Sequence, residues 1–222
     1  MVSLAVQASL SAIRPGASEL EVDDAGRTAV LREAAKRYPN AVVHTQSITP
    51  SGVARSIMPH VFSTTRKLER GDVLIHTHHA VVHGYIAECE RTCFVEEATE
   101  RQKEAFAVML RAQQAALETI KAGVPMREVD RAARAVIQAA GYGEYAIHRT
   151  GHSIGLDIHE PPFFRFDEEA LLQEGMVFTV EPGFYVPELG GFRHSDTVIV
   201  TRDGCEPITH VPRDLVSMIR RA

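Results

Sequence analysis

Apolar residues recur along this chain with two different periods, which indicates a fold that mixes helices and strands. Between residues 99 and 121 they recur every three or four positions, as on one face of a helix: Phe106, Met109, Leu110, Leu117 and Ile120. The pattern predicts helices at about 2–14, 18–38, 99–121 and 125–140, and strands near 41–47, 73–79, 82–95, 145–150, 177–184 and 194–201. Turn residues separate these elements at Pro15-Gly16, Gly141–Gly143, Glu160–Pro162 and Gly190-Gly191.

The chain also contains a partial copy of itself. Ile13–Gly16 recurs as Ile120–Gly123, and Glu21–Asp23 recurs as Glu128–Asp130, both at an offset of 107 residues (120 − 13 and 128 − 21). A helical stretch follows each copy, and a period this long excludes a solenoid. The repeat predicts one domain over residues 1–222, with two pseudo-symmetric halves at about 1–97 and 98–205.

Composition narrows the class of protein. A chain of 222 residues with 45% hydrophobic and 24% charged residues is typical of a globular domain with a sizeable core. A net charge of −5 argues against a nucleic-acid or anionic-membrane surface. Without an apolar run of about 20 residues or a basic leader, we expect no membrane partner and a cytoplasmic location. The three cysteines predict no disulfide framework, and Cys89 and Cys93 are expected to be buried apolar residues.

Two segments carry the candidate chemistry. Gly151–Pro162 (GHSIGLDIHEPP) places His152 and His159 around a glycine turn, and Glu174–Gly183 (EGMVFTVEPG) follows with Glu181. An imidazole and a carboxylate on separate rigid segments suit a metal site or a hydrolytic pocket.

These segments resemble the pita-bread superfamily, which includes creatinase, methionine aminopeptidase, aminopeptidase P and prolidase. Three further segments match in order: Pro59-His60 with Arg70–Ile75, Gly84–Thr92, and Gly191–Thr201. The resemblance implies an α+β pita-bread fold, a curved and mostly antiparallel sheet backed by helices. The smaller upstream domain of creatinase and aminopeptidase P has no counterpart here, so we expect the catalytic domain alone.

Strand alternation gives part of the site geometry. Successive side chains of a strand point to opposite faces, so Glu88 and Glu90 share one face. Two carboxylates on one face are costly unless a cation or a proton lies between them. We therefore expect both to bind substrate or metal, against the alternative of a solvated strand face beside Arg91.

The peptidases of the superfamily bind two divalent metals through five side chains. By position, the resemblance places these at Thr77, Glu88, His152, Glu181 and Ser195. Two of the five are neutral hydroxyls, so a full paired site is not expected. Glu88, His152 and Glu181 could still hold one divalent ion, namely Mn, Co or Zn.

Creatinase offers a metal-free alternative on the same fold. Glu90-Arg91-Thr92 resembles creatinase more than the peptidases, and Glu90 and Glu181 match its guanidinium-binding carboxylates. His60 matches its proton-transfer histidine. Arg193, in Arg193–Asp196, departs from both branches and is expected to bind substrate with Glu88 and Glu90.

The histidines differ in their expected roles. We expect His60, His152, His159 and Glu181 to be catalytic, with His159 bound to the substrate or the tetrahedral intermediate, as in the superfamily. A local group of histidines lies nearby: His76, His78, His79 and His83. One or two of them could replace lost metal ligands, and the alternative is that they simply occupy a partly exposed strand end and turn. His194 faces away from Ser195, so packing competes there, and His44, His148 and His210 are expected to be structural.

The leading hypothesis is therefore a C–N bond hydrolase with a mononuclear or metal-free site, acting on a short peptide or a small molecule such as a guanidino or amide compound. The alternative is a catalytically inactive pita-bread module that binds peptide or protein. By resemblance, we expect a homodimer.

Overall fold

A computed structural model describes residues 1–221. Its helices are α1 (Val2–Ala12), α2 (Glu19–Arg37), α3 (Val53–Ser56), α4 (Glu100–Thr119), α5 (Met126–Ala139) and α6 (Leu215–Met218). Its strands are β1 (Val43–Ile48), β2 (Val73–Val82), β3 (Tyr85–Val95), β4 (Gly151–Ser153), β5 (Glu160–Phe164), β6 (Val177–Val180), β7 (Gly183–Val186), β8 (Gly190–Arg193), β9 (Ser195–Val200), β10 (Cys205–Pro207) and β11 (Ile219–Arg220). No helix within residues 1–221 has the length and apolar character needed to cross a bilayer.

One large sheet joins both halves of the chain. Its main path runs β1-β2-β3-β9-β6-β4-β5, with β10 paired to β9 and β11 paired to β3. All of these pairs are antiparallel except β3–β11, and β7 and β8 form a separate hairpin. Helices α1 and α2 pack together, as do α4 and α5, and the core lies between these pairs and the sheet. The α+β architecture expected from the sequence is present.

Local sequence signals define where the long helices begin. Ser18 and Glu21 form a reciprocal capping box at the start of α2, and Thr99 and Gln102 form another at the start of α4. Each box satisfies backbone N–H groups that the first helical turn leaves without partners. These boxes explain why both predicted helices start within a residue of the expected position.

The two halves end their first helices in the same way. Helices α1 and α4 stop one residue before Ile13 and Ile120, whose backbones are both extended. Gly16 and Gly123 follow with φ of 81° and 86°, a left-handed conformation that favours glycine. The two helix ends therefore share one backbone conformation at the 107-residue offset, and the duplication of the two halves stays a prediction.

The predicted strand at 145–150 is wrong. A short 3-10 helix, Gly143–Tyr145, and an irregular segment precede β4. Side chains of α5 form the hydrogen bonds to this backbone that a neighbouring strand would otherwise form. Asp130 accepts hydrogen bonds from the backbone N and side chain of Thr150, and Arg134 donates to the carbonyl oxygens of Ala146 and His148.

Two other boundaries also differ from the sequence-based prediction. The predicted turn at Glu160–Pro162 is part of β5, which lies at the edge of the sheet, where proline is tolerated. The predicted strand at 177–184 is divided at Glu181-Pro182, so that β6 stays in the large sheet and β7 enters the hairpin. This division leaves Glu181 between two sheets rather than within one.

A buried carboxylate fixes the irregular segment between β1 and β2. Glu19, at the start of α2, is fully buried and accepts hydrogen bonds from the backbone and side chains of Ser51 and Thr64. Arg55 donates two more from its guanidinium at 3.0 Å each. The segment held in this way carries His60.

Replacing Glu19 by Gln should lower the free energy of unfolding by about 3 kcal/mol or more, because it leaves the guanidinium of Arg55 without its buried partner. Urea denaturation followed by circular dichroism measures the change. The control is Glu21→Gln on the same helix, where the ion pair with Lys67 is solvent-exposed and Gln can keep the capping box. Equal losses for the two variants would contradict this assignment.

Candidate metal and hydrolase site

The floor of the candidate site is built on two neighbouring strands. In the β2–β3 pair, Thr77 lies opposite Glu90 and His79 lies opposite Glu88. Alternation therefore places these four side chains on one face, as the sequence predicted for the two glutamates. Strand β9 then places Ser195 opposite Glu90.

The second half of the chain brings His152 and Glu181 to the same face. Strand β4 approaches β6 so closely that a Cβ at Gly151 would lie 2.1 Å from the carbonyl oxygen of Thr179. Glycine is needed for this approach, which holds the next residue, His152, against the sheet. The Glu181 backbone N donates to the Thr150 carbonyl oxygen at 2.7 Å, which ties the two segments together.

Glu88, His152 and Glu181 form a compact buried triplet. Each offers one ligand atom, and these atoms lie within 4.8 Å of one another. His152 Nδ1 lies 3.0 Å from the Ser153 carbonyl oxygen, which can only accept, so Nδ1 carries the proton. In the neutral ring, Nε2 then carries a lone pair. It lies 3.1 Å from Glu181 Oε1 and has no hydrogen-bond partner among residues 1–221.

This donor set fits a divalent metal. A buried lone pair facing carboxylate oxygens is unfavourable unless a cation lies among them. Burial alone would raise the pKa of Glu181, but nearby positive charge, from the His152 ring when it is protonated and from Arg193, outweighs it and holds the pKa below its ordinary value. One imidazole and two carboxylates are ligands that Zn and Mn accept.

Arg193 and two hydroxyls occupy the rest of the floor. The Arg193 guanidinium is buried and donates to Glu90 Oε1 at 2.7 Å, while its Nε lies 2.5 Å from Glu90 Oε2. The hydroxyl of Thr77 also donates to Glu90, and that of Ser195 donates to Glu88, each at 2.7 Å. Both hydroxyls therefore serve as hydrogen-bond donors to carboxylates.

A cavity of about 190 Å³ opens above this floor. The exposed side chains of His60, His159 and Phe62 lie among its walls, and the rings of His60 and His159 are 6.0 Å apart. Burial lowers the pKa of His60 and of His159 below the ordinary histidine value, with further lowering from Arg193 and from His152 respectively. Both rings are therefore neutral at pH 7. Polar and apolar residues complete the lining: Gln46, Ser47, Ile48 and Ile158.

The structure brings the candidate residues from the sequence together. Glu88, Glu90, Glu181, His60 and His159 line the cavity, and Arg193 reaches it through Glu90. His152 is buried against Glu181, with its ring centroid 4.4 Å from that of His159. Cys89 and Cys93 are fully buried, as expected.

Three other histidines can now be placed. His194 packs edge-on against Phe106 and accepts from the Thr92 backbone N, so it is structural. His79 contacts Glu88, which alternation from Thr77 could have indicated. The role of His148 was missed: its Nε2 lies 2.8 Å from the hydroxyl of Tyr185, which in turn accepts from Arg193. No pattern along the chain links these last three residues.

Comparisons with known proteins show the family to which the chain belongs. The sequence model of metallopeptidase family M24 matches residues 1–202. An Xaa-Pro dipeptidase from Pyrococcus furiosus is 41% identical over 162 residues, which are 73% of this chain and 47% of that protein.

Solved structures give the same result for the fold. An Xaa-Pro dipeptidase from Bacillus anthracis superposes with a TM-score of 0.89 at 39% identity, covering 96% of this chain and 59% of that one. The prolidase from Pyrococcus horikoshii OT3 gives a TM-score of 0.89 at 36% identity, covering 96% and 60%. The pita-bread fold is confirmed, and the chain spans about half the length of the curated relative.

Arg193→Met should lower the free energy of unfolding by about 3–5 kcal/mol, because Glu90 then stays buried without its cation. Adding Glu90→Gln to this variant should recover part of the loss, since the uncompensated charge is removed. Chemical denaturation of the two single variants and the double variant measures the coupling. Strictly additive losses would show that the two side chains do not stabilise each other.

Proposed function

Because the chain belongs to metallopeptidase family M24, we propose that it hydrolyses the C–N bond of a short peptide or a related small amide in the cavity above Glu88. The observation that carries this proposal is the convergence of Glu88, His152 and Glu181 at a cavity of small-molecule size. The Xaa-Pro dipeptidases among its relatives make dipeptides that end in proline the first substrates to test.

The site uses one divalent metal, bound by Glu88, His152 and Glu181. The hydroxyls of Thr77 and Ser195 are engaged as donors to carboxylates and lack the charge to hold a second ion. Formal charges also balance with a single ion. Glu88, Glu90 and Glu181 supply three negative charges, which one divalent ion and the guanidinium of Arg193 neutralise.

When bound, the ion supplies Lewis-acid polarisation of the scissile carbonyl group. Glu181 accepts a proton from the attacking water at Oε2, since Oε1 lies 3.1 Å from His152 Nε2. Neutral His159 donates an N–H hydrogen bond to the carbonyl oxygen as negative charge develops there. The proton that Glu181 accepts from water then passes to the leaving nitrogen. Neutral His60, across the cavity, relays it by taking up a proton at one ring nitrogen as it gives one from the other.

The contacts of Glu90 favour peptide or amide substrates over guanidino compounds. A guanidinium substrate held as in the metal-free alternative would need Glu90 and Glu181. Glu90 already contacts the chain's own guanidinium, that of Arg193, at 2.5 and 2.7 Å. A second guanidinium would have to displace this buried pair.

An inactive binding module is the second candidate, and the hydroxyls at Thr77 and Ser195 favour it. In that case the cavity would bind peptide without turnover. The homodimer and the cytoplasmic location remain predictions.

Purified, metal-replete protein should contain about one divalent ion per chain by elemental mass spectrometry. His152→Ala removes one of the three ligand atoms of the triplet. It should therefore reduce the metal content to well below one ion per chain. A content of two ions per chain would contradict the mononuclear site. A content of zero would contradict metal use.

Glu181→Gln should reduce kcat for Xaa-Pro hydrolysis at least about a hundredfold, because the amide cannot accept the proton of water. Release of free proline measures activity, and circular dichroism checks that the fold is retained. The matched control, Glu174→Gln, changes an exposed glutamate that precedes β6, the strand that Glu181 follows. It should leave kcat unchanged. Unaltered activity in Glu181→Gln would overturn the proposed role, and peptide binding without turnover in the unmodified protein would support the inactive module.

A further inference from the structure

Glu88 is held by a donor on each of its two oxygens. Ser195, on β9, donates its hydroxyl to Oε1 at 2.7 Å. His79, directly opposite on β2, places Nε2 2.7 Å from Oε2. Since a carboxylate can only accept, Nε2 carries the proton in this contact.

The ring of His79 has no other polar partner among the described residues. Its Nδ1 is buried and forms no hydrogen bond within residues 1–221. The neighbouring histidines on the opposite face of β2 behave differently, because His76 bonds to Thr49 and His78 bonds to Thr45. The polar contact of His79 is therefore directed at Glu88 alone.

Glu88 needs such a contact to keep its orientation. Its carboxylate is fully buried beside the like charges of Glu90 and Glu181, which repel it. A donor on each oxygen opposes that repulsion and restricts rotation of the carboxylate, so the remaining lone pairs stay directed at the position shared with His152. Donors of this kind around a carboxylate ligand typically change metal affinity by 10- to 100-fold.

We propose that His79 is a positioning residue that orients Glu88 toward the candidate metal centre through the cross-strand hydrogen bond from Nε2. This inference rests on the proposed function, since it assigns to Glu88 the role of a ligand. It adds a residue that the five-ligand pattern of the superfamily does not contain.

The test compares Mn²⁺ binding to three variants of the full chain by isothermal titration calorimetry. His79→Ala removes the donor and should raise the Kd for Mn²⁺ by roughly 10- to 100-fold. His79→Gln can donate from its amide to Glu88 and should recover part of that loss. The control is His83→Asn in the exposed β2–β3 turn, where φ is 51° and asparagine is well accommodated; its Kd should not change.

Thermal unfolding of the metal-free variants separates positioning from folding. A purely structural role would change the stability of His79→Ala and leave its Kd for Mn²⁺ unaltered, and that result would overturn the proposal. A crystal structure of metal-free His79→Ala provides a second readout, in which Glu88 should adopt a different side-chain orientation. If the unmodified protein binds no Mn²⁺, the metal-dependent function fails, whereas the orientation of Glu88 in that crystal still decides the role of His79.

Discussion

The burial of three carboxylates on one face of the sheet is the constraint that governs the rest of the site. Glu88, Glu90 and Glu181 are each less than a tenth exposed and converge from both halves of the chain. Such groups are tolerated only when cations and donors surround them. Arg193, His79 and two hydroxyls meet part of this demand, and the Nε2 of His152, unpartnered within the described part of the chain, leaves room for a cation to meet the rest.

This requirement also explains why the hydroxyls of Thr77 and Ser195 donate to the glutamates. The side chains of Thr77 and Ser195 carry no charge, so they neutralise no carboxylate. Each nevertheless donates a hydrogen bond to a lone pair of a glutamate. The guanidinium of Arg193 supplies positive charge to Glu90 from within the chain. The hydroxyl donors and the guanidinium therefore stabilise the same group of carboxylates.

Much of the fold and site could be predicted from local sequence, because the relevant signals act over short distances. Alternation placed Glu88 with Glu90, and apolar periodicity located the long helices. The errors came from contacts between distant segments. The strand predicted at 145–150 was wrong because Asp130 and Arg134 of α5 satisfy that backbone, and the Arg193–Tyr185–His148 chain joins three elements with no shared motif.

The anchoring of the segment around His60 by Glu19 has a consequence for how this enzyme family could diversify. The cavity floor lies on paired strands, whose register leaves little freedom, whereas His60 and Phe62 lie on an irregular stretch whose ends are fastened to α2 by a single carboxylate. Residues between those fastenings can be exchanged without altering the strands beneath. Selection can thus retune which molecules are admitted by exchanging Phe62 and its neighbours, while His60 and the glutamates of the floor stay unchanged.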